Sequence, residues 1–368
     1  MNVLSLFDGM SCGQQALERA GFKVTNYFAS EIDKHAIKVT MANYPNTIQL
    51  GSVVHVDGYS LPKIDLLIGG SPCQSFSFAG KRKGMSTKCD TEILTLEHYL
   101  QLKSEDFEFE GQSYLFWEYM RLLNETKPKY FLLENVEMGE KWERVLSKAI
   151  GVNGIHINSA LVSAQNRKRI YWTNIGHEPG GLFGHLVCKI KQPKDRGILL
   201  KDILEKEVDE KYYLSEKMIS GMIAHAERHK EKGTGFGWNP TIGENKGSCL
   251  RANAALAPTD NIIIQKENLI IQLNNSKESG GKQPYQQNRV YADYGIMTSL
   301  DTDSGRKSVY TNSRIRRLTP TECERLQTVK DGFTNHVSDS QRYKMLGNGW
   351  TIEVIVHILK YMKLEDGK

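Results

Sequence analysis

The stretch VLSLFDGMSCG, residues 3–13, joins a short apolar run to a glycine-containing turn and the beginning of a helical pattern. A second apolar run, residues 24–29, follows that helix and leads to Glu31. Glycine lets a turn approach a ligand closely, and an acidic residue after the second strand can accept hydrogen bonds from ribose hydroxyls. The pattern favours a nucleotide-type cofactor. Since it is not a clean Gly-x-Gly-x-x-Gly fingerprint, an ordinary strand–helix turn with a surface glutamate is the alternative.

Strands and helices alternate through the first half of the chain. The apolar pattern predicts strands at residues 3–7, 24–29, 64–69 and 130–133, and helices at residues 14–20, 33–43 and 114–123. This alternation is typical of an α/β fold, a mostly parallel sheet with helices on both faces. Ligands of such sheets bind outside the carboxyl ends of the strands.

The texture of the sequence changes after about residue 176. Glycine, asparagine, serine and lysine become frequent there, which indicates a smaller, irregular, β-containing domain over residues 177–330. Within it we expect a helix at residues 215–231 and extended pieces at residues 262–264 and 269–273. Residues 1–176 would form the catalytic and cofactor-binding domain. Residues 331–368 would form a C-terminal segment, with an apolar helical stripe over 350–362 that packs back on this domain.

The composition excludes several classes of protein. Of 368 residues, 39% are hydrophobic and 25% are charged, so disordered and collagen-like chains are ruled out. There is no apolar run of about 18 residues and no signal-peptide pattern at the N-terminus, so we expect a cytoplasmic protein without membrane contact. The net charge of +5 permits a nucleic-acid partner. The six cysteines form no Cys-x-x-Cys pair, so we predict no metal site and no disulfide framework.

The most reactive candidate is Cys73, which follows the third predicted strand in the segment GGSPCQ, residues 69–74. A thiolate is a natural nucleophile for an electrophilic carbon, and positive charge nearby favours the thiolate. The segment that follows, residues 75–84, is glycine-flanked and basic, as expected of a loop that closes over a polyanion. The alternative for any single cysteine is a small buried hydrophobic residue.

Charged residues mark two further candidate sites. Glu134 follows the strand at residues 130–133, and a partly desolvated carboxyl group there can act as an acid near neutral pH. If residues 165–169 form a strand, Gln165, Arg167 and Arg169 share one face, where arginines can bind a carboxylate or phosphate. A structural salt bridge and a solvated basic patch are the respective alternatives.

Together these motifs resemble the cytosine-C5 DNA methyltransferase family of bacterial or phage type. The PCQ, ENV and QxRxR motifs occur in this order after an FxG turn, and the late segments 316–327 and 347–349 complete the set. The resemblance covers about residues 1–176 and 314–362. It implies a Rossmann-like S-adenosylmethionine methyltransferase fold with a smaller target-recognition domain.

The resemblance also implies catalytic roles. Cys73 would attack C6 of a flipped cytosine, Glu134 would protonate or hydrogen-bond N3, and Arg169 would reach O2 with support from Arg167. The cofactor would be S-adenosyl-L-methionine, with S-adenosyl-L-homocysteine as product. Its contacts would be Phe7, Gly9, Met10, Ser11, Glu31, Ile32, Ser52, Pro72, Leu115, Asn348, Gly349 and Trp350.

Three residues depart from the family's usual pattern. Ser11 replaces a glycine that is common in the turn, and Ser52 stands where an aspartate often faces adenine. Trp350 occupies a position where a small aliphatic residue is common. None of these changes removes a catalytic group.

The expected partner is double-stranded DNA, bound by a monomer in a bacterial or phage-infected cell. A cognate restriction endonuclease is a second candidate partner. The predicted DNA contacts are Gln74, Ser77, Lys81, Arg82, Gln165, Asn288, Arg289 and Arg306. For Asn288, Arg289 and Arg306, in the middle domain, solvated loop residues are the alternative.

Three other functions compete with this prediction. A tRNA cytosine methyltransferase could use the same fold, but the large middle domain favours DNA. An inactive DNA-binding protein is disfavoured because Cys73, Glu134 and Arg169 are all present. A nicotinamide oxidoreductase is disfavoured by the imperfect glycine fingerprint and by the PCQ segment.

Overall fold

A seven-stranded sheet in the order β3-β2-β1-β4-β5-β7-β6 forms the centre of the computed structural model. The model describes residues 1–72, 92–109, 111–180, 185–233, 240–251, 262–265 and 314–363. The strands are β1 (Asn2–Leu6), β2 (Asn26–Ser30), β3 (Ile48–Gln49), β4 (Leu66–Gly70), β5 (Tyr130–Val136), β6 (Ile155–Asn158) and β7 (Lys168–Thr173). Strands β1 to β5 pair in parallel, and β7 is antiparallel to both of its neighbours. The predicted α/β fold with a mostly parallel sheet is therefore confirmed.

Helices cover both faces of this sheet. Those of the first half are α1 (Cys12–Arg19), α2 (Lys34–Asn43), α3 (Leu96–Ser104), α4 (Leu115–Thr126) and α5 (Glu140–Ile150). Successive residues of a strand point to opposite faces. Accordingly, Val3 packs in a cluster with α1, whereas Leu4 packs in a separate cluster with α4 and α5.

The end of the chain returns to the main sheet through α7 (Pro320–Leu326), α8 (Asp339–Asn348) and α9 (Ile352–Leu359). Helix α9 packs against α1 and buries Val354, Ile355 and Ile358. The predicted apolar stripe is confirmed, although the helix is shorter than residues 350–362. This return places the α8–α9 turn beside the turn that follows β1.

The middle of the chain contains smaller elements. They are a hairpin of β8 (His177–Gly180) and β9 (His185–Cys188), helix α6 (Glu216–Glu231), and a sheet of β10 (Thr241–Ile242), β11 (Ile262–Gln265) and β12 (Arg314–Arg317). The expected helix at 215–231 and the extended piece at 262–264 are confirmed. The extended piece expected at 269–273 lies outside the described residues.

No helix within the described ranges is long and apolar enough to cross a membrane.

A buried ion pair joins β12 to α7. Arg316 and Glu322 have no exposed side-chain surface, and the guanidinium donates to both carboxylate oxygens at 2.7 Å. The same carboxylate accepts the Thr319 amide at 2.8 Å in a capping box, and the Glu205 amide at 2.9 Å. A buried charge without its partner is strongly destabilising.

We therefore expect Glu322→Ala to lower the free energy of unfolding by about 3–5 kcal/mol, because it removes the carboxylate that pairs with the buried Arg316 charge. The measurement is urea denaturation followed by circular dichroism. The matched control is Glu210→Ala. It removes an exposed ion pair between Glu210 and Arg314, which lies on the same strand, β12, as Arg316. The control should cost far less, because exposed ion pairs contribute little to stability. Equal losses in the two variants would contradict a dominant role for burial.

Candidate active site

The turn after β1 has an unusual backbone conformation. Phe7, Gly9 and Ser11 have positive φ angles of 57°, 59° and 58°. Such a conformation costs a residue with a side chain about 1–3 kcal/mol and persists only where the surroundings enforce it. Here the Ser11 hydroxyl donates to the Asp8 carboxylate, and the Ser11 amide donates to the Asp8 carbonyl oxygen at 3.1 Å. The turn is thus fixed while Gly9 presents bare backbone.

Glu31, at the carboxyl end of β2, is held by backbone amides. Its Oε2 accepts from the Gly9 amide at 2.8 Å, and its Oε1 accepts from the Ile32 and Asp33 amides at 2.7 and 2.8 Å. An ionised carboxylate offers about four acceptor positions. Glu31 therefore has a fixed orientation and can still accept a hydrogen bond from a ligand.

One cavity of about 540 Å³ opens at the carboxyl ends of β1, β2, β4 and β5. It brings together most residues that the sequence predicted for cofactor binding and catalysis. Those that line it are Phe7, Gly9, Met10, Glu31, Ile32, Ser52, Pro72, Leu115, Glu134, Arg167, Arg169, Asn348, Gly349 and Trp350. Ile32 is 72% exposed and offers an apolar surface at the edge of the cavity.

Ser11 does not line this cavity. Its side chain is completely buried, and its hydroxyl is engaged with Asp8 and with Gln14 Nε2 at 3.1 Å. The expectation that Ser11 contacts the cofactor therefore does not fit the structure. Ser11 instead stabilises the turn through its hydrogen bond to Asp8.

Glu134 and Arg169 form an ion pair at the other end of the cavity. Arg169 on β7 is paired with Val136 on β5, two residues after Glu134, so their side chains share a face of the sheet. Arg169 Nε lies 2.9 Å from Glu134 Oε1, with side chains only 13% and 11% exposed. The predicted position of Glu134 after its strand is wrong, because β5 continues to Val136. The carboxyl group still faces the cavity.

Asn135 connects β5 to the segment after β4. Its Nδ2 donates to Ser71 Oγ at 3.0 Å and to the Ser71 carbonyl oxygen at 3.3 Å. Pro72, the next residue, lines the cavity. The described part of the chain therefore reaches the catalytic end of the cavity at Pro72, one residue before Cys73 in the sequence.

Arg167 lies just before β7, and its side chain is used to bind backbone. Its guanidinium donates to the carbonyl oxygens of Leu250 at 3.0 Å, Gly347 at 3.2 Å and Gly349 at 2.8 Å. The residue is only 3% exposed. Arg167 thereby fixes the α8–α9 turn against the catalytic end of the cavity.

Residues 165–169 do not form a continuous strand, because β7 begins at Lys168, so the condition for Gln165, Arg167 and Arg169 to share one face is not met. Gln165 is completely buried, and its amide donates to the Leu326 carbonyl oxygen at 2.8 Å and to Gln327 Oε1 at 2.9 Å. A side chain without exposed surface cannot reach DNA. The predicted DNA contact of Gln165 is therefore replaced by a structural role.

Cys12 lines the cavity, but its chemistry differs from that expected of a nucleophile. Burial raises the pKa of the Cys12 thiol to about 12, so this thiol stays protonated near neutral pH. Cys323 is also buried, while Cys188 and Cys249 are partly exposed. Cys73, Gln74, Ser77, Lys81, Arg82, Asn288, Arg289 and Arg306 lie outside the described residues.

Asp8 is a cavity residue to which the sequence assigned no role, although it stands inside the quoted turn. Burial raises the pKa of its carboxyl group to about 6, and the negative charge of Glu31 adds to the increase. Hydrogen bonds from the hydroxyls of Ser11, Ser5 and Tyr27 oppose it, the last at 2.7 Å. Such a shift is common at functional sites.

We expect Asp8→Asn to change the pH dependence of stability. The pKa of Asp8 in the folded protein lies above the ordinary value of 3.8, so its ionisation between about pH 4 and pH 6 destabilises the fold. The melting temperature of Asp8→Asn relative to wild type should therefore rise across this window and then level off. Scanning calorimetry at several pH values measures it, with the exposed Asp106→Asn as control. A difference that does not vary with pH would contradict the shift.

Comparisons with known proteins identify the family of this chain. The model of the family "C-5 cytosine-specific DNA methylase" matches residues 1–364. The orphan methyltransferase M.SPRI of Bacillus phage SPR is 29% identical over 98% of this chain and 97% of its own. The type II methyltransferase M.NlaX of Neisseria lactamica is 27% identical over 98% of this chain and 96% of its own.

Solved structures with low sequence identity share the fold. The Entamoeba histolytica methyltransferase EhMeth superposes with a TM-score of 0.61 at 16% identity, over 98% of this chain and 97% of its own. A Spodoptera frugiperda DNMT2 variant gives 0.60 at 19% identity, over 98% of each chain. With the family model matched over nearly its whole length, the chain belongs to the C-5 cytosine-specific DNA methylase family, and its predicted enzyme class, a DNA cytosine-C5 methyltransferase, is confirmed.

Proposed function

We propose that the protein transfers a methyl group from S-adenosyl-L-methionine to C5 of a flipped cytosine in a specific duplex DNA sequence. The observation that carries this proposal is that one cavity holds both groups of residues. The cavity has the fixed Glu31 carboxylate and the bare Gly9 backbone at one end, and the Glu134–Arg169 ion pair at the other. A donor and an acceptor bound at the two ends would meet within one site.

The residues at the first end suit an adenosyl cofactor. Glu31 has acceptor capacity left for ribose hydroxyls, and the exposed Ile32 gives a flat base an apolar contact. A side chain at Gly9 would meet open space, so its absence leaves room for a ligand above the turn. Ser52 and Leu115 line the same cavity and would complete the pocket around the adenine. When bound, S-adenosyl-L-methionine supplies a methyl group on a positively charged sulfonium.

The residues at the second end suit activation of cytosine. Arg169 Nε pairs with Glu134 Oε1, and the carboxyl group lines the cavity, where it would meet N3 of the base. The Cys73 thiolate would add to C6, forming a carbon–sulfur bond while N3 gains the proton that Glu134 supplies. C5 becomes nucleophilic and takes the methyl group, whose bond to the donor sulfur breaks with the electron pair left on that sulfur. Loss of the C5 proton to a base then expels Cys73, and N3 returns its proton to Glu134, which restores the ring.

Base flipping is required because stacking in the duplex blocks the access that chemistry at C5 and C6 needs. Methyltransferases commonly rotate the target base out of the duplex for this reason. Residues 177–330 would read the target sequence, with Asn288, Arg289 and Arg306 as contacts. Gln74, Ser77, Lys81 and Arg82 would contact DNA near the catalytic end. The relatives M.SPRI and M.NlaX are named as orphan phage and type II methyltransferases. By analogy, this chain would act in restriction–modification or in phage DNA protection. It would work as a cytoplasmic monomer, and a cognate endonuclease is a candidate partner.

The direct test of the function is transfer of tritium-labelled methyl groups from S-adenosyl-L-methionine to duplex DNA and, in parallel, to tRNA. We expect label in DNA only. Bisulfite sequencing of DNA from cells that express the protein should then show one methylated sequence. Label in tRNA alone would overturn the proposed substrate.

We expect Cys73→Ser to lose methyl transfer while it still binds S-adenosyl-L-methionine, because a serine hydroxyl is a far weaker nucleophile than a thiolate. Tritium transfer and calorimetry measure the two properties separately. Cys188→Ser is the matched control, since Cys188 lies on β9 and is not part of the cavity wall. Normal turnover by Cys73→Ser would refute the assignment of the nucleophile.

We expect Glu134→Gln to reduce kcat about 10²- to 10⁴-fold, the range typical of losing a general acid, with little change in cofactor affinity. Glutamine keeps the size of the side chain and an acceptor for Arg169 but cannot supply the proton. Single-turnover methylation measures the effect. Glu137→Gln, three residues further on and 40% exposed, is the control. Unchanged kcat in Glu134→Gln would show that N3 is not protonated from this position.

A further inference from the structure

Trp350 lies at the junction between the two ends of the cavity. On one side, the preceding Gly349 packs against the turn after β1. A methyl group added to Gly349 would lie 2.9 Å from Met10 Cε and 3.3 Å from Cys12 Sγ. The backbone that leads into Trp350 therefore contacts the cofactor end of the cavity.

On the other side, the indole ring reaches the catalytic end. A methyl group added to Gly70 would lie 2.9 Å from Trp350 Nε1 and 3.1 Å from Glu134 Oε2. Both distances are shorter than ordinary van der Waals contact. The ring thus occupies the space that a side chain on Gly70 would need, beside Glu134 Oε2.

The backbone on both sides of Trp350 is anchored. The Gly349 carbonyl oxygen accepts from Arg167 at 2.8 Å and from Gln327 Nε2 at 3.2 Å, and the Thr351 hydroxyl donates to Gln327 Oε1 at 2.9 Å. Trp350 itself is only 9% exposed. Because these hydrogen bonds are largely buried, moving the ring aside would break several of them at once.

We propose that Trp350 limits the size of the group that the enzyme transfers. The inference rests on the proposed function, since it concerns the space between the donor sulfonium and the acceptor base. A longer alkyl group on the sulfur would have to enter the volume that the indole fills, and a close-packed interior does not yield to added carbons without strain. The chemistry of transfer is unchanged: the carbon–sulfur bond breaks toward sulfur and the new bond forms at C5.

Binding calorimetry tests this without depending on turnover. The probes are S-adenosyl-L-homocysteine, which carries no transferable group, S-adenosyl-L-methionine, and the analogue with an allyl group in place of the methyl. Wild type should bind the allyl analogue at least about tenfold more weakly than S-adenosyl-L-methionine, the discrimination typical of a filled apolar pocket. Trp350→Val, which removes part of the cavity wall, should weaken binding of all three ligands but bring the affinities for S-adenosyl-L-methionine and the allyl analogue close together. Trp350→Phe should fall between them.

The proposal is overturned if Trp350→Val still discriminates against the allyl analogue, relative to S-adenosyl-L-methionine, as strongly as wild type. Failure of the wild type to bind S-adenosyl-L-methionine would instead overturn the proposed function.

A double-mutant cycle with Gly70→Ala tests the packing independently, should Trp350→Val prove unstable. Gly70→Ala should lower the melting temperature clearly in wild type but less in the Trp350→Phe background, because the smaller ring withdraws the atom nearest the new methyl group. Equal losses in both backgrounds would show that the indole does not fill this space, which would also overturn the proposal.

Discussion

The hydrogen bonds of the Arg167 guanidinium join three parts of the chain that are far apart in sequence. A buried guanidinium needs partners, and among the described residues Arg167 finds them in backbone carbonyl oxygens. Leu250 belongs to the middle of the chain, whereas Gly347 and Gly349 belong to the C-terminal turn. Separating any of these segments would leave a positive charge buried with too few acceptors. Assembly of the site from both ends of the chain depends on this constraint.

Gln327 extends the same arrangement. It donates to the carbonyl oxygens of Leu346 at 2.6 Å and Gly349 at 3.2 Å, while its own oxygen accepts from Gln165 and Thr351. The turn that carries Trp350 is therefore fixed from two directions. The antiparallel pairing of β5 and β7 fixes the Glu134–Arg169 ion pair independently. Both ends of the cavity thus have defined positions before any ligand binds, which is the preorganisation that catalysis requires.

The features that the sequence could predict are those with local causes. Alternating apolar runs and helical patterns locate β1, β2 and the C-terminal helix, because burial on a sheet face or along a helix stripe leaves a periodic trace. Glu31 could be assigned from its place after the second strand for the same reason. The alternation of side chains typical of a strand does not extend to Gln165. The chain forms only an isolated bridge to Gly247 there, and the regular strand begins at Lys168.

The partners of Arg167 and the roles of Asp8 and Ser11 have no local trace. The Arg167 carbonyl contacts span 83 to 182 residues of sequence, and any backbone carbonyl is chemically the same as any other. Asp8 lines the cavity and Ser11 does not, although their side chains are hydrogen-bonded to each other, in a turn with three positive φ angles within five residues. Such a turn cannot be inferred from composition, since two of those three residues are not glycine.

The most direct test of the account is mass spectrometry of the intact protein after incubation with S-adenosyl-L-methionine and duplex DNA that contains 5-fluorocytosine in the target sequence. Fluorine at C5 blocks the final elimination, so the account predicts a covalent protein–DNA complex that carries one added methyl group, with the linkage mapped to Cys73. A protein that methylates ordinary DNA yet forms no such complex, or forms it through another cysteine, would contradict the account.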